Sequence, residues 1–80
     1  MMTVEAETKL QEVVRAALDL PPHTDVTRAR QAAVETWDSL AHVSLMLAIE
    51  SEFRISIDVA DQIRLTSYAA IRRYLEERGA

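Results

Sequence analysis

No cysteine occurs in this chain, and it has one glycine, two prolines and few aromatics: one tryptophan, two tyrosines and one phenylalanine. The missing cysteine excludes disulfides, thiolate metal sites and a thiol nucleophile. So little glycine and proline leaves too few turn-forming residues for a many-stranded β protein. Disorder is excluded from the other side, because 49% of the residues are apolar. Helical packing is what remains. Apolar runs of the ~20 residues that span a bilayer are also lacking. The opening residues do not follow the basic-then-apolar plan of a secretion signal, so a cytoplasmic location is expected. Basic residues are in deficit, nine against thirteen acids, for a net charge of −4. That balance opposes nucleic acid or an anionic membrane as the main partner, and a basic protein surface is its complement. Eighty residues fit one domain, 1–80, with a modest core.

What is present is helical periodicity. Leu10, Val13, Val14, Ala17 and Leu18 recur at the spacing of one helix face, predicting a first helix from Thr3 to about Leu18. Thr3 is its expected cap, Glu5 and Glu7 suit its positive end, and Pro21-Pro22 is expected to stop it. A long connection follows, in which Val26–Val34 has the composition of a helical turn or two, with Val26 and Val34 expected to pin it to the core. At Trp37-Asp38-Ser39-Leu40 the chain switches into a second helix, capped by Asp38 and running to about Phe53. Its expected core face is Val43, Met46, Ile49 and Phe53, flanked by Leu45. Leu40, Ser44, Leu47 and Ser51 form a second stripe of the same period that mixes large apolar with small polar residues, the pattern of a half-exposed face open to a partner. Ile55 and Ile57 are expected to plug the core from an extended connector. Asp58 is the expected cap of a short helix over Val59 to about Ile63, and Ser67 of a last helix from Tyr68 to about Arg78, with Gly79 as its stop. The expected fold is all-α: a small four-helix bundle of three main helices and one short one, with a long first loop.

The chemistry centres on the second helix start. Ser39 and His42, three apart, share a helix face and raise the question of nucleophilic catalysis. No Gly-x-Ser-x-Gly elbow accompanies them, and the chain is small for a water-excluding site. His42 is expected to face solvent near the cap. His23 and His42 are the only histidines and lack metal-ligand spacing, so no metal is expected. Catalysis by this chain is not expected. A helix start does favour phosphate, through its free N–H groups and dipole. Were Ser39 esterified by a phosphate-bearing group, the neighbouring Asp38 carboxylate would favour an exposed diester monoanion. Trp37 is expected to pack over the loop and core top, fixing where Ser39 emerges.

From Asp38-Ser39-Leu40 onward the chain resembles the acyl carrier protein family. The likeness continues through Val43, Leu45, Ala48, Ile49, Glu50, Glu52 and Phe53, then Ile55-x-Ile57-Asp58 and the last amphipathic helix. The resemblance implies that Ser39 receives 4′-phosphopantetheine from coenzyme A through a magnesium-dependent phosphopantetheinyl transferase. The arm's thiol would then carry an acyl or aminoacyl group as a thioester, loaded by one enzyme and delivered to downstream synthases or transferases by a monomeric carrier. Asp38, Leu40, Ser44, Leu47, Glu50 and Asp58 would be the partner-recognition residues. Carriers of primary fatty acid synthesis usually have acids two and five residues after the serine and glycine flanking the helix; here Ala41, Ser44, Trp37 and Arg54 stand there. These departures point to a stand-alone carrier of a specialised pathway, of the polyketide, nonribosomal-peptide or surface-polymer kind. The alternatives are a helical interaction module with no prosthetic group, using the Leu40/Leu47 stripe, and a small serine hydrolase.

Overall fold

In the computed structural model, which describes residues 2–80, the helices are α1 (Val4–Ala17), α2 (Ser39–Phe53), α3 (Val59–Gln62) and α4 (Tyr68–Glu77). Among the described residues there is no strand, only one isolated antiparallel bridge between Arg30 and Ser67. The described residues are thus all-α, with four helices and a long first connection. No helix among the described residues is long and apolar enough to cross a membrane.

Side-chain caps start the three longer helices where local chemistry places them. The Ala6 N–H donates to Thr3 Oγ1 at 3.0 Å, the Ala41 N–H to Asp38 Oδ1 at 2.8 Å, and the Ala70 N–H to Ser67 Oγ at 3.1 Å. Each supplies a partner to one of the free amides of a first turn. Asp58 differs from expectation. It stands at the head of α3, but its carboxylate makes no cap hydrogen bond. Its backbone carbonyl instead accepts from the Asp61 and Gln62 N–H groups, both at 2.9 Å.

The first helix does not end at the prolines. It stops earlier, where Asp19 turns left-handed at φ 54°. The Leu20 N–H then reaches back to the Arg15 carbonyl at 2.8 Å and the Asp19 N–H to Ala16 at 3.3 Å, which terminates the helix in a Schellman motif. Pro21-Pro22 lie downstream of that stop. Gly79, at φ 81°, closes α4 in the same way, its N–H and that of Ala80 donating to Glu76 and Leu75. At the end of α2 the left-handed position is held by Arg54, at φ 55°. An L-residue costs roughly 1–2 kcal/mol there, whereas glycine is unstrained but loses more chain entropy on folding. Arg54→Gly is therefore expected to stabilise the chain by about 0.5–1 kcal/mol, seen as a raised thermal midpoint. A lowered midpoint would show that the Arg54 side chain contributes more than its backbone loses.

The core is built by Leu10 and Val14 from α1, Leu45, Met46 and Ile49 from α2, and Tyr68, Ile71, Tyr74 and Leu75 from α4. Leu18, Val26, Trp37, Ile57 and Leu65 close it from the connections. One expected core residue is misplaced: Val43 is 52% exposed, and Leu45, expected at the flank, is fully buried. Phe53 is only half-buried, under the Lys9 ammonium 5.4 Å from its ring. Packing of α2 on α1 decides this, because it turns the Leu45–Met46–Ile49 side of α2 inward.

The long connection folds into successive turns without becoming a helix. Val26 is buried and Val34 half-buried, as expected of its anchors. Backbone pairing adds a third anchor: the Gln31 N–H donates to the Thr66 carbonyl at 2.8 Å and the Tyr68 N–H to Ala29 at 2.9 Å. The loop is thereby stitched to the start of α4.

Asp61 ties α3 to α4. Its carboxylate accepts from Arg64 at 2.8 Å and from the Tyr74 hydroxyl at 3.2 Å, with Arg78 at 3.7 Å. The Arg78 guanidinium lies over the Tyr74 ring, 3.4 Å from its centre. The Arg64 hydrogen bond, above all, holds the Asp61 carboxyl below the usual carboxylate range; desolvation, the next-largest influence, opposes it, and the Tyr74 hydroxyl and the two arginine charges assist it. A carboxyl lowered by folding favours the native state at pH above its unfolded pKa, and that contribution is lost as pH falls through the folded value. Acidification below pH ~4 should therefore lower the wild-type midpoint more steeply than that of Asp61→Asn. Parallel slopes down to pH ~2 would rule out the linkage.

Candidate functional site

The site is the junction where the long loop enters α2. Trp37 is buried, with 2% of its surface exposed, so the chain is fixed one residue before the cap. Its indole is the packed residue that the sequence suggested. Asp38 follows in extended conformation with its carboxylate on the Ala41 amide, and Ser39 is the first helical residue. Asp38, Ser39 and Leu40 are all exposed, Leu40 to 77%. The serine hydroxyl is thus held out from a rigid base, beside the amides and positive dipole end of a fifteen-residue helix.

The expected partner stripe lies open. Ser44 and Ser51 are exposed, and Leu47 is 60% exposed. Val43 joins this face at the helical spacing Leu40, Val43, Leu47. Sequence reasoning missed the exposure of the apolar residues at the two ends of α3: Val59 and the C-cap Ile63 are 72% and 70% exposed, and α3 buries no residue of its own. Their i, i+4 spacing was the available signal, but it resembles a core-facing pair. Of the predicted recognition residues, Asp58 is exposed at the start of α3. Glu50 is half-buried, and its Oε2 accepts the Ile57 N–H at 2.8 Å, so that its carboxylate holds the connector after α2.

His42 does not face solvent as expected. Its Nδ1 lies 3.0 Å from Trp37 Nε1, and its Nε2 lies 2.8 Å from the Gln62 carbonyl. An indole N–H can only donate, so Nδ1 is the acceptor. The neutral ring then carries its proton on Nε2 and donates it to Gln62. Both ring nitrogens are committed, which leaves no acceptor for the Ser39 hydroxyl. The two rings are nearly parallel, 24° apart, with centroids separated by 6.1 Å. A tryptophan before a helix and a histidine in its first turn were visible in the sequence, but the Gln62 carbonyl was not.

His23 is exposed on the long loop. Among the described residues no group of three or more His, Asp or Glu side chains is arranged to hold a metal ion. Two surface grooves are formed without Ser39 in their lining. One, between α3 and α4, is lined by Asp61, Arg64, Arg73 and Arg78; the other, between α1 and α2, by Glu12, Ala16, Ala48 and Glu52. Comparison of the chain with protein-family models, with curated proteins and with solved structures finds no match to any of them.

Proposed function

We propose that this chain is an acyl carrier protein, a single carrier domain primed with 4′-phosphopantetheine on Ser39 and working in a specialised biosynthetic pathway. One observation carries the reading: Ser39 stands exposed as the first residue of α2, between the capping Asp38 and the exposed Leu40. Sequence and geometry agree at this point, because the Asp-Ser-Leu motif falls on a helix start open to solvent.

The residues present suit the group. A phosphodiester on Ser39 would lie at the positive end of α2, where free amides favour an anion. Asp38 already supplies one carboxylate there, which keeps the favourable position outside and singly charged. When bound, the arm supplies a thiol that holds an acyl or aminoacyl group as a thioester. The chain's own residues present and orient the arm; they do not catalyse. Leu40, Leu47, Ser44 and Asp58 form the face read by the phosphopantetheinyl transferase, the loading enzyme and the downstream synthases or transferases. The chain acts as a monomer in the cytoplasm.

Incubation with coenzyme A, magnesium and a broad-specificity transferase should add one phosphopantetheine, read by intact mass. Failure with several such transferases would sink the proposal. A second reading is favoured by a specific observation, the exposure of Leu40, Leu47, Val59 and Ile63: these would also serve an interaction module without a prosthetic group. Recovery of unmodified chain in a stable complex with its partner, unaffected by Ser39→Ala, would favour that module.

A further inference from the structure

The weakest-anchored element of the fold stands beside its candidate site. α3 is four residues long, buries none of them, and has no side-chain cap. A single turn of helix does not hold itself together in water, so its position must be set from outside. Part of that outside support is the Asp61 clamp to α4. The support facing Ser39 comes from α2, through a run of polar links. His42, in the first turn of α2, receives the Trp37 N–H at 3.0 Å and meets the last carbonyl of α3, that of Gln62, at 2.8 Å. The Gln62 side chain donates back to the Ile57 carbonyl at 2.9 Å, and the Ile57 N–H donates to Glu50 of α2 at 2.8 Å. The run leaves α2 at its start, passes along α3 and returns to α2 one turn before its end.

We infer that His42 is a positioning residue: through its two ring nitrogens it locks Trp37 and α3 to the first turn of α2, and so sets the surface against which Ser39 is primed. The priming half rests on the carrier reading given above. The anchoring half rests on the geometry alone. A buried indole N–H needs an acceptor, and the half-buried Gln62 carbonyl, which accepts the Leu65 N–H at a longer 3.2 Å, has a second lone pair for a closer donor. One neutral imidazole meets both needs. An aromatic ring of similar shape meets neither, whereas a glutamine amide offers an acceptor and a donor in one side chain.

The experiment compares wild type with His42→Phe, His42→Gln and Val14→Ala. Trp37 is the only tryptophan, so its emission reports on the His42 bond directly. In His42→Phe the emission should shift, and the amides of Asp61, Gln62 and Ile63 should exchange about tenfold faster, while α1 and α4 amides keep their protection. The KM of the carrier for the transferase should rise about tenfold with kcat within about twofold, because a displaced docking surface weakens encounter and not the transfer step. His42→Gln should recover most of both effects. Val14→Ala, a core truncation on α1, should lower global stability without raising KM. Unchanged exchange at α3 in His42→Phe overturns the inference. Faster exchange with an unchanged KM overturns its priming half, as does an equal rise of KM in Val14→Ala. A wild-type chain that no transferase primes overturns the carrier reading instead, and the exchange data still decide whether His42 anchors α3.

Discussion

Ser39→Ala is expected to abolish phosphopantetheine incorporation completely while leaving the helical fold and its thermal midpoint near those of wild type. The two halves have separate causes. Ser39 is exposed and is not the cap of α2; Asp38 accepts the first-turn amide, and that bond is untouched by the change. Alanine is the better helix former, by at most roughly 0.5 kcal/mol, so stability should hold or rise slightly. No other serine offers a free, exposed hydroxyl at a helix start: Ser56 is exposed but lies in the connector after α2. Ser44 and Ser51 are exposed but lie inside α2, where the amides are already bonded within the helix. Ser67 starts α4, but its hydroxyl accepts from the Ala70 N–H. Asp38→Ala is the informative companion: it should cost about 1 kcal/mol through the lost cap yet leave the attachment atom in place. A Ser39→Ala chain that still gains the arm would move the site elsewhere. Labelling of wild-type Ser39 by a fluorophosphonate would revive the hydrolase reading, which the commitment of both His42 nitrogens argues against.

Local features were legible in the sequence and distant ones were not. Thr3, Asp38 and Ser67 announce helix starts because a cap needs only its own side chain and an amide three residues on. The α4 core residues Tyr68, Ile71, Tyr74 and Leu75 were legible because polar residues separate them into a face. The end of α1 near Leu18 was legible but its cause was not: a left-handed Asp19 stops the helix before the prolines can. The bridge from Arg30 to Ser67 and the His42 contact with Gln62 join segments far apart in sequence, and no periodicity encodes them. At the candidate site, Ser39 with its flanks was legible, whereas the exposed pair on α3 and the inward use of Glu50 depended on how α3 sits against α2. The second helix was the hardest case. Leu40, Val43, Leu45, Met46, Leu47 and Ile49 surround it almost evenly, so spacing alone cannot choose which side is buried.

Two truncations on α2 settle that choice. Leu45→Ala should destabilise the chain by about 2–5 kcal/mol, since Leu45 has no exposed surface and its loss leaves a cavity between α1 and α2. A chain of 80 residues has roughly 4–12 kcal/mol in total, so this is a large fraction of its stability and should lower the thermal midpoint by about 8 °C or more. Val43→Ala, at 52% exposure, should change stability by no more than about 0.5 kcal/mol, its lost contacts offset by the better helix propensity of alanine. The two positions are two residues apart and therefore roughly 160° apart around the helix, so they cannot both face the core. A large loss at Val43 with a small one at Leu45 would mean that α2 is turned on its axis. That turn would swing Leu40 and Leu47 away from the open face and carry Ser39 with them. The orientation of the serine is thus fixed by which of two neighbouring apolar residues α1 buries, and melting temperature alone reads it out.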